Sequence, residues 1–160
     1  MSFVDGKESP THSTLEDSED LFVQDQWKRR YHFKISSFLV PTGIAFEAIE
    51  VTDDDVPGYR FNHLTEIDAD YEEAEDYFLS KIRKGLNRRH LKKDGSGWQI
   101  GQRGILRGRI DWNENFEDTA LDKVLVIDGK RITVEEFGHM LEMYEGWQFK
   151  FKIIDPFEDD

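Results

Sequence analysis

The sequence predicts an α+β fold: a mainly antiparallel, twisted sheet with two helices packed on one face. Three observations carry this. Tyr31, Phe33 and Ile35 alternate with Arg30, His32 and Lys34, the period of a half-buried strand. Tyr71, Ala74, Phe78, Ile82 and Leu86 recur at helical spacing along a stretch that opens on acids and closes on bases. The stretch Val124 to Ile154 then reads as a hairpin, a capped helix and a strand in succession.

The last stretch is the best punctuated. Val124 to Ile127 is aliphatic, mostly β-branched and too short for a helix, and suits a buried strand. Asp128-Gly129 tolerates the positive φ angles of a tight hairpin turn, and Lys130 to Ile132 returns as a brief strand. Thr133 with Glu136 forms a capping box for a helix over 134–144, whose apolar face is Val134, Phe137, Met140 or Leu141, and Tyr144. Gly146 supplies a left-handed cap. Beyond it Trp147, Phe149, Phe151 and Ile153 alternate with Gln148, Lys150 and Lys152, which predicts a final strand.

From the N-terminus, residues 1–26 are polar and acidic, seven carboxylates against Lys7, and are read as a disordered tail. The triplet Leu21-Phe22-Val23 is its one docking-like feature. A hairpin follows, about 27–40 and 44–51, around Pro41-Thr42-Gly43. Asp53-Asp54-Asp55 forms a charged loop, and a short strand lies near Tyr59 to His63. The long helix spans about 71–90. Strands at 98–100 and 103–112 come next, the latter placing Leu106, Gly108, Ile110 and Trp112 on one face and Arg103, Arg107 and Arg109 on the other. Gly104 and Gly108 within it signal a bulge or a close backbone approach. A second acidic loop covers 113–122. The organisation expected is one domain over 27–155 between the tail and an acidic end at 156–160.

The chain has 160 residues, no cysteine and a net charge of -13. Disulfide and thiolate chemistry are thereby excluded, and a cytoplasmic location is expected. No apolar run approaches the roughly 20 residues of a membrane span. The five histidines form no metal-binding spacing, so neither a metal nor a cofactor is expected; Asp53 to Asp55 with His63 is the nearest thing to a cation site. No nucleophile elbow or phosphate loop is present, and an enzyme, such as a hydrolase with a dispersed site, ranks lowest among the readings.

Charge is the feature with functional content. Between Lys81 and Arg109 stand ten basic residues against Asp94, a net +9 that leaves -22 for the remainder. The candidate anion- or partner-binding residues are Arg83, Lys84, Arg88, Arg89, Lys92, Lys93, Trp98, Arg103, Arg107 and Arg109, with Trp98 as a stacking surface. The acidic tail is expected to screen this strip. Two functions follow. The first is a non-enzymatic binding or regulatory protein that meets a protein partner through its acidic surface, in the manner of an inhibitor or immunity protein. The alternative is a nucleic-acid- or phosphate-binding module that uses the strip.

Several motifs taken together, Gly58-Tyr59-Arg60-Phe61, Lys81 to Leu86, Arg107-Gly108-Arg109-Ile110-Asp111-Trp112, and Val126-Ile127-Asp128-Gly129-Lys130 through Glu135-Glu136-Phe137-Gly138 to Tyr144-Glu145-Gly146-Trp147-Gln148-Phe149-Lys150, carry a resemblance. The chain resembles an uncharacterised bacterial family, a domain of unknown function found in small standalone proteins, over about 44–155. The resemblance implies a bacterial or phage-related source and a compact cytoplasmic domain, and it brings no activity with it.

Overall fold

A computed structural model of the chain describes residues 18–53, 55–113 and 122–158. Most of the expected tail, Asp54, most of the second acidic loop and the last two acidic residues lie outside the described residues. The class is α+β with antiparallel pairing throughout, but the strands are shared among three sheets of four, two and three strands. The chain also divides into two compact units where one domain was expected. The first takes in residues 1–51, 60–87 and 153–160, the second 52–59 and 88–152.

The first unit is a meander of β1 (Glu19–Gln24), β2 (Arg30–Val40), β3 (Gly43–Glu50) and β4 (Arg60–Glu66), paired in chain order, with helix α1 (Tyr71–Leu86). The alternation in β2 is realised: Tyr31 and Phe33 are buried. Helix α1 buries Ala74, Phe78, Ile82 and Leu86 as its spacing predicts. Phe78 lies 5.5 Å from Phe46, and Phe33 meets Phe61 at 5.9 Å, centroid to centroid, so the core is aromatic. Gly85 allows the helix to approach the sheet, because a Cβ there would stand 2.4 Å from the Phe61 ring. Asp70 caps α1 by accepting from the Glu73 N–H. Two expectations for the helix change. Tyr71 is exposed, its hydroxyl held 2.9 Å from Ser37 Oγ, and the helix stops at Leu86 rather than near His90.

Strand β1 corrects the tail reading for residues 19–24. Residues 19–24 pair antiparallel with β2 from Glu19 opposite Ile35 to Gln24 opposite Arg30. The turn between them is built on Asp25, a buried carboxylate that accepts from the Trp27 and Arg29 N–H groups at 2.9 Å each and from the Tyr31 hydroxyl at 3.0 Å. Lys28 takes a positive φ of 71° to close it. Of the tail's acids, Asp25 is thus committed to a turn, and Asp20 is engaged by Lys34 Nζ at 2.6 Å and His32 Nε2 at 2.7 Å. The Lys34 and then the His32 hydrogen bond hold the Asp20 carboxyl below its ordinary range.

In the second unit β5 (Leu91–Asp94) and β6 (Gly97–Ile100) form a hairpin, and β7 (Gly108–Trp112), β8 (Lys123–Ile127) and β9 (Lys130–Thr133) form a three-stranded sheet. Helix α2 (Val134–Met140) follows directly, with the Thr133–Glu136 capping box present in both directions. Its core joins Leu91, Ile127, Ile132 and Met140, with Trp98, Ile100, Leu106, Leu125 and Phe137 packed around them. The helix expected over 134–144 breaks at Leu141 into a 3-10 turn over Glu142–Tyr144. Phe137 is half-buried rather than central to the core. Gly146 does adopt a positive φ, 89°, after that turn.

Two strand expectations in this unit are corrected. Residues 103–107 are not strand, and Gly104 takes a turn conformation with φ 71°. In β7 the inward positions are Arg109 and Asp111, while Ile110 and Trp112 are exposed. The cause is distant in sequence. Arg109 donates to the Gly58 carbonyl at 2.9 Å and the Pro57 carbonyl at 3.4 Å, so residues 52–59 draw the guanidinium inward. Gly108 is the close approach anticipated, since a Cβ would stand 2.1 Å from the Val126 carbonyl oxygen. The final strand expected over 147–154 is not formed, and its apolar residues are exposed.

Candidate functional site

The basic candidates are divided between the two units. Arg83 and Lys84 occupy the last turn of α1 in the first unit, where they complement the negative end of the helix dipole. Lys81 is likewise bound locally, its ammonium donating to the Asn62 carbonyl at 2.7 Å. The remaining eight candidates belong to the second unit. Of these Arg88, Lys92, Lys93 and Arg103 are exposed, and Arg89, Trp98, Arg107 and Arg109 are half-buried. Arg89 reaches the Tyr59 hydroxyl at 3.4 Å, and Arg109 carries the carbonyl contacts above together with Asp111, 3.4 Å from its Nε.

Trp98, the stacking candidate, is directed to its own chain. Lys93, its cross-strand neighbour, places Nζ 4.6 Å from the indole centroid, and Lys130 Nζ lies 5.1 Å away. The ring body packs on the core of its unit. Both cations are therefore already served by the ring, and a base stacking there would displace them.

Asp128 does more than turn a hairpin. Its carboxylate is buried and accepts from the His90 N–H at 2.9 and 3.2 Å and from the Leu91 N–H at 2.9 Å. It takes a φ of 54° to do so, and the next residue, Gly129, accepts from the Gly58 N–H at 3.0 Å. Three separated pieces of the second unit are thereby tied at one turn. This role is structural, and local pattern alone could not show it.

Asp53 and His63, paired in the cation-site expectation, belong to different units. Among the described residues no three His, Asp or Glu side chains come together as a metal site would need. His63 instead stacks at 6.4 Å with Phe78 and lies 4.8 Å from Tyr77. His139, exposed, lies 3.1 Å from Glu142 Oε1 through Nδ1, and that hydrogen bond raises its pKa. A raised histidine pKa favours the folded chain below the ordinary histidine range, and the contribution fades as pH rises through the raised value. In NMR titrations His139 should titrate at lower pH in a Glu142→Gln variant than in the parent.

The surface that sequence reasoning missed lies at the start of α1. Residues 66–77 read EIDADYEEAEDY, seven acids and no base. Ile67, Tyr71 and Tyr77 are exposed among them. Capping needs Asp70 alone, and the dipole is served by Glu72 and Glu73 in the first turn. Glu66 and Asp68 before the helix, and Glu75 and Asp76 in its second turn, exceed that need. The signal was legible as a block of like charge with interleaved large side chains, but it was absorbed into the helix-dipole argument.

The fold and its surfaces thus define a chain of two small α+β units. Residues 16–87 match the model of one domain of unknown function (DUF7686), and residues 89–158 match that of another (DUF7713). The division between the matches falls at the end of α1, where the two compact units also change over, and residues 52–59 and 153–158 cross it. The uncharacterised family implied by the resemblance is therefore met by two such models, one on each part of the chain. No curated protein and no solved structure matches. Among the described residues no helix is long and apolar enough to cross a membrane.

Proposed function

We propose that this is a non-enzymatic binding protein that recognises a basic surface on a protein partner through residues 66–77. The observation that supports the reading is the conjunction of seven acids, without a base, and the exposed Ile67, Tyr71 and Tyr77. Carboxylates steer a cationic partner and fix its register, whereas exposed aromatics supply the apolar contact area that gives an interface its lifetime. A partner whose basic site normally holds nucleic acid fits that chemistry, and occupying such a site would make the protein an inhibitor or regulator.

The test is capture from a nuclease-treated lysate of the source organism with the full chain and with a Glu72→Lys/Asp76→Lys variant. A protein captured by the parent should be lost with the variant and released by salt, because exposed charge contacts are screened over roughly 10 Å at 0.1 M. Capture that survives the charge reversal would refute the role of this surface. The exposed Arg88, Lys92, Lys93 and Arg103 favour the nucleic-acid alternative. Its measure is fluorescence anisotropy of a labelled single-stranded oligonucleotide at about 50 mM salt, where phosphate contacts are strongest.

A further inference from the structure

Strand β1 is the outer strand of its sheet, paired among the described residues with β2 alone. The phase of its hydrogen bonds is fixed at the turn, where the Asp25 N–H donates to the Arg29 carbonyl at 2.9 Å. In an antiparallel ladder every second residue bonds the same neighbour. Glu19, Leu21 and Val23 therefore bond β2, and the N–H and C=O groups of Asp20, Phe22 and Gln24 point to the open side. Phe22 is also 73 % exposed, its ring stacked on His32 at 4.4 Å. The opposite edge of the sheet is guarded: on β4 the Asn62 carbonyl already accepts from the Lys81 ammonium at 2.7 Å. An unguarded edge with an apolar centre is a template for another strand.

We propose that β1 pairs antiparallel with β1 of a second copy about a two-fold axis through Phe22, joining two four-stranded sheets into one. The residues with outward groups then meet one another. Phe22 exchanges both backbone bonds with its counterpart, and Asp20 does so with Gln24 of the second copy. Side chains select this axis. Leu21 falls opposite Val23 on the face that carries Phe33, and the two Phe22 rings meet on the other face, each backed by its own His32. Centred on Leu21 instead, the pairing would set Asp20 against Phe22 and Glu19 against Val23. Centred on Asp20, it would oppose two carboxylates, and centred on Val23 it would set Leu21 against Asp25. About the Phe22 axis Glu19 reaches Asp25 only at the end of the ladder, where the Asp25 carboxylate is turned into its own loop.

A second copy is the occupant because the strand is its own complement about this axis, and such a pairing closes at two. The contact is a single strand pair, so it belongs to the small, transient class below about 1,200 Å². It uses the β1 edge and not residues 66–77, and is independent of the partner proposed above.

Sedimentation and amide hydrogen exchange on the full chain, each across a concentration series, test it. At up to about 1 mM, where weak complexes form, the parent should sediment as a dimer. The Asp20, Phe22 and Gln24 amides should gain protection as concentration rises, whereas those of Leu21 and Val23, bonded to β2, should be protected throughout. Phe22→Lys sets two ammonium groups at the axis and removes the aromatic pair, and should weaken association at least about tenfold. Leu21 and Val23 should stay protected in that variant, which separates loss of the dimer from loss of β1; if they do not, the parent's concentration series decides alone. A parent that stays monomeric, or a dimer indifferent to Phe22→Lys, would overturn the proposal. Protection of the Phe22 amide that persists on dilution would place another segment of the same chain on the edge, and would overturn it equally.

Discussion

Truncating Phe78 to alanine is expected to destabilise the first unit by about 3–5 kcal/mol, the range for removing a buried aromatic ring and leaving its cavity. Phe78 has no exposed surface and sits where α1 crosses the sheet, 5.5 Å from Phe46 and 6.4 Å from His63. Neighbours that are themselves aromatic are poorly placed to collapse into the space, which pushes the cost upward within that range. Trp27 lies in this unit and the other three tryptophans in the second. Denaturant unfolding followed on variants that retain Trp27 alone therefore reads the correct unit. A loss below about 1 kcal/mol, the scale of an ordinary surface substitution, would mean that the helix does not bury this face. By the same reasoning Phe137, half-buried in α2, should cost less than a fully enclosed ring.

What was legible in the sequence is what depends on neighbours a few residues away. The stripe Ala74, Phe78, Ile82, Leu86 and the Thr133–Glu136 capping box both stand as their spacing indicated. Such signals are written within one turn or one pleat, and tertiary contacts reinforced them. Strand β1 was hidden because its apolar content is three residues set among acids. It gains order from eleven-residue β2 beside it and from Asp25, whose partners become visible only once the turn is closed.

The grouping of the basic candidates is a related case. Ten basic residues close in sequence were treated as close in space, yet the chain passes from one unit to the other within them, between Asn87 and Arg88. Their partners are backbone carbonyls and rings contributed from elsewhere: Asn62 for Lys81, Gly58 and Pro57 for Arg109, Trp98 for Lys93. A charge count records sign but not these commitments. Which face of β7 is covered was not legible either, because alternation fixes which residues share a face and leaves open which face is covered. Residues 147–153 show the reverse case, a local pattern that is present while the ladder that would use it is not supplied within the described chain.

Asp128 concentrates the long-range dependence of the second unit in one side chain, and its removal should be costly. In Asp128→Ala the His90 and Leu91 N–H groups lose a buried acceptor, at about 1–3 kcal/mol for each donor left unsatisfied. Alanine is also penalised at the positive φ that Asp128 adopts, 54°. Together these place the expected loss at about 3–5 kcal/mol on that same scale. Asp128→Asn separates the contributions. Asparagine tolerates the left-handed region and keeps one carbonyl oxygen as an acceptor, so it retains the geometry while losing the charge that strengthens the bonds. It should therefore fall between the parent and the alanine variant. Hydrogen exchange gives the decisive readout, because the amides of His90 and Leu91 should lose protection in Asp128→Ala beyond the change at buried Ile132 in β9. If all three amides lost protection equally, the carboxylate would serve only the overall stability of the unit, and the anchoring of β5 to the β8–β9 turn would have to come from the backbone bonds around it, such as Gly58 to Gly129.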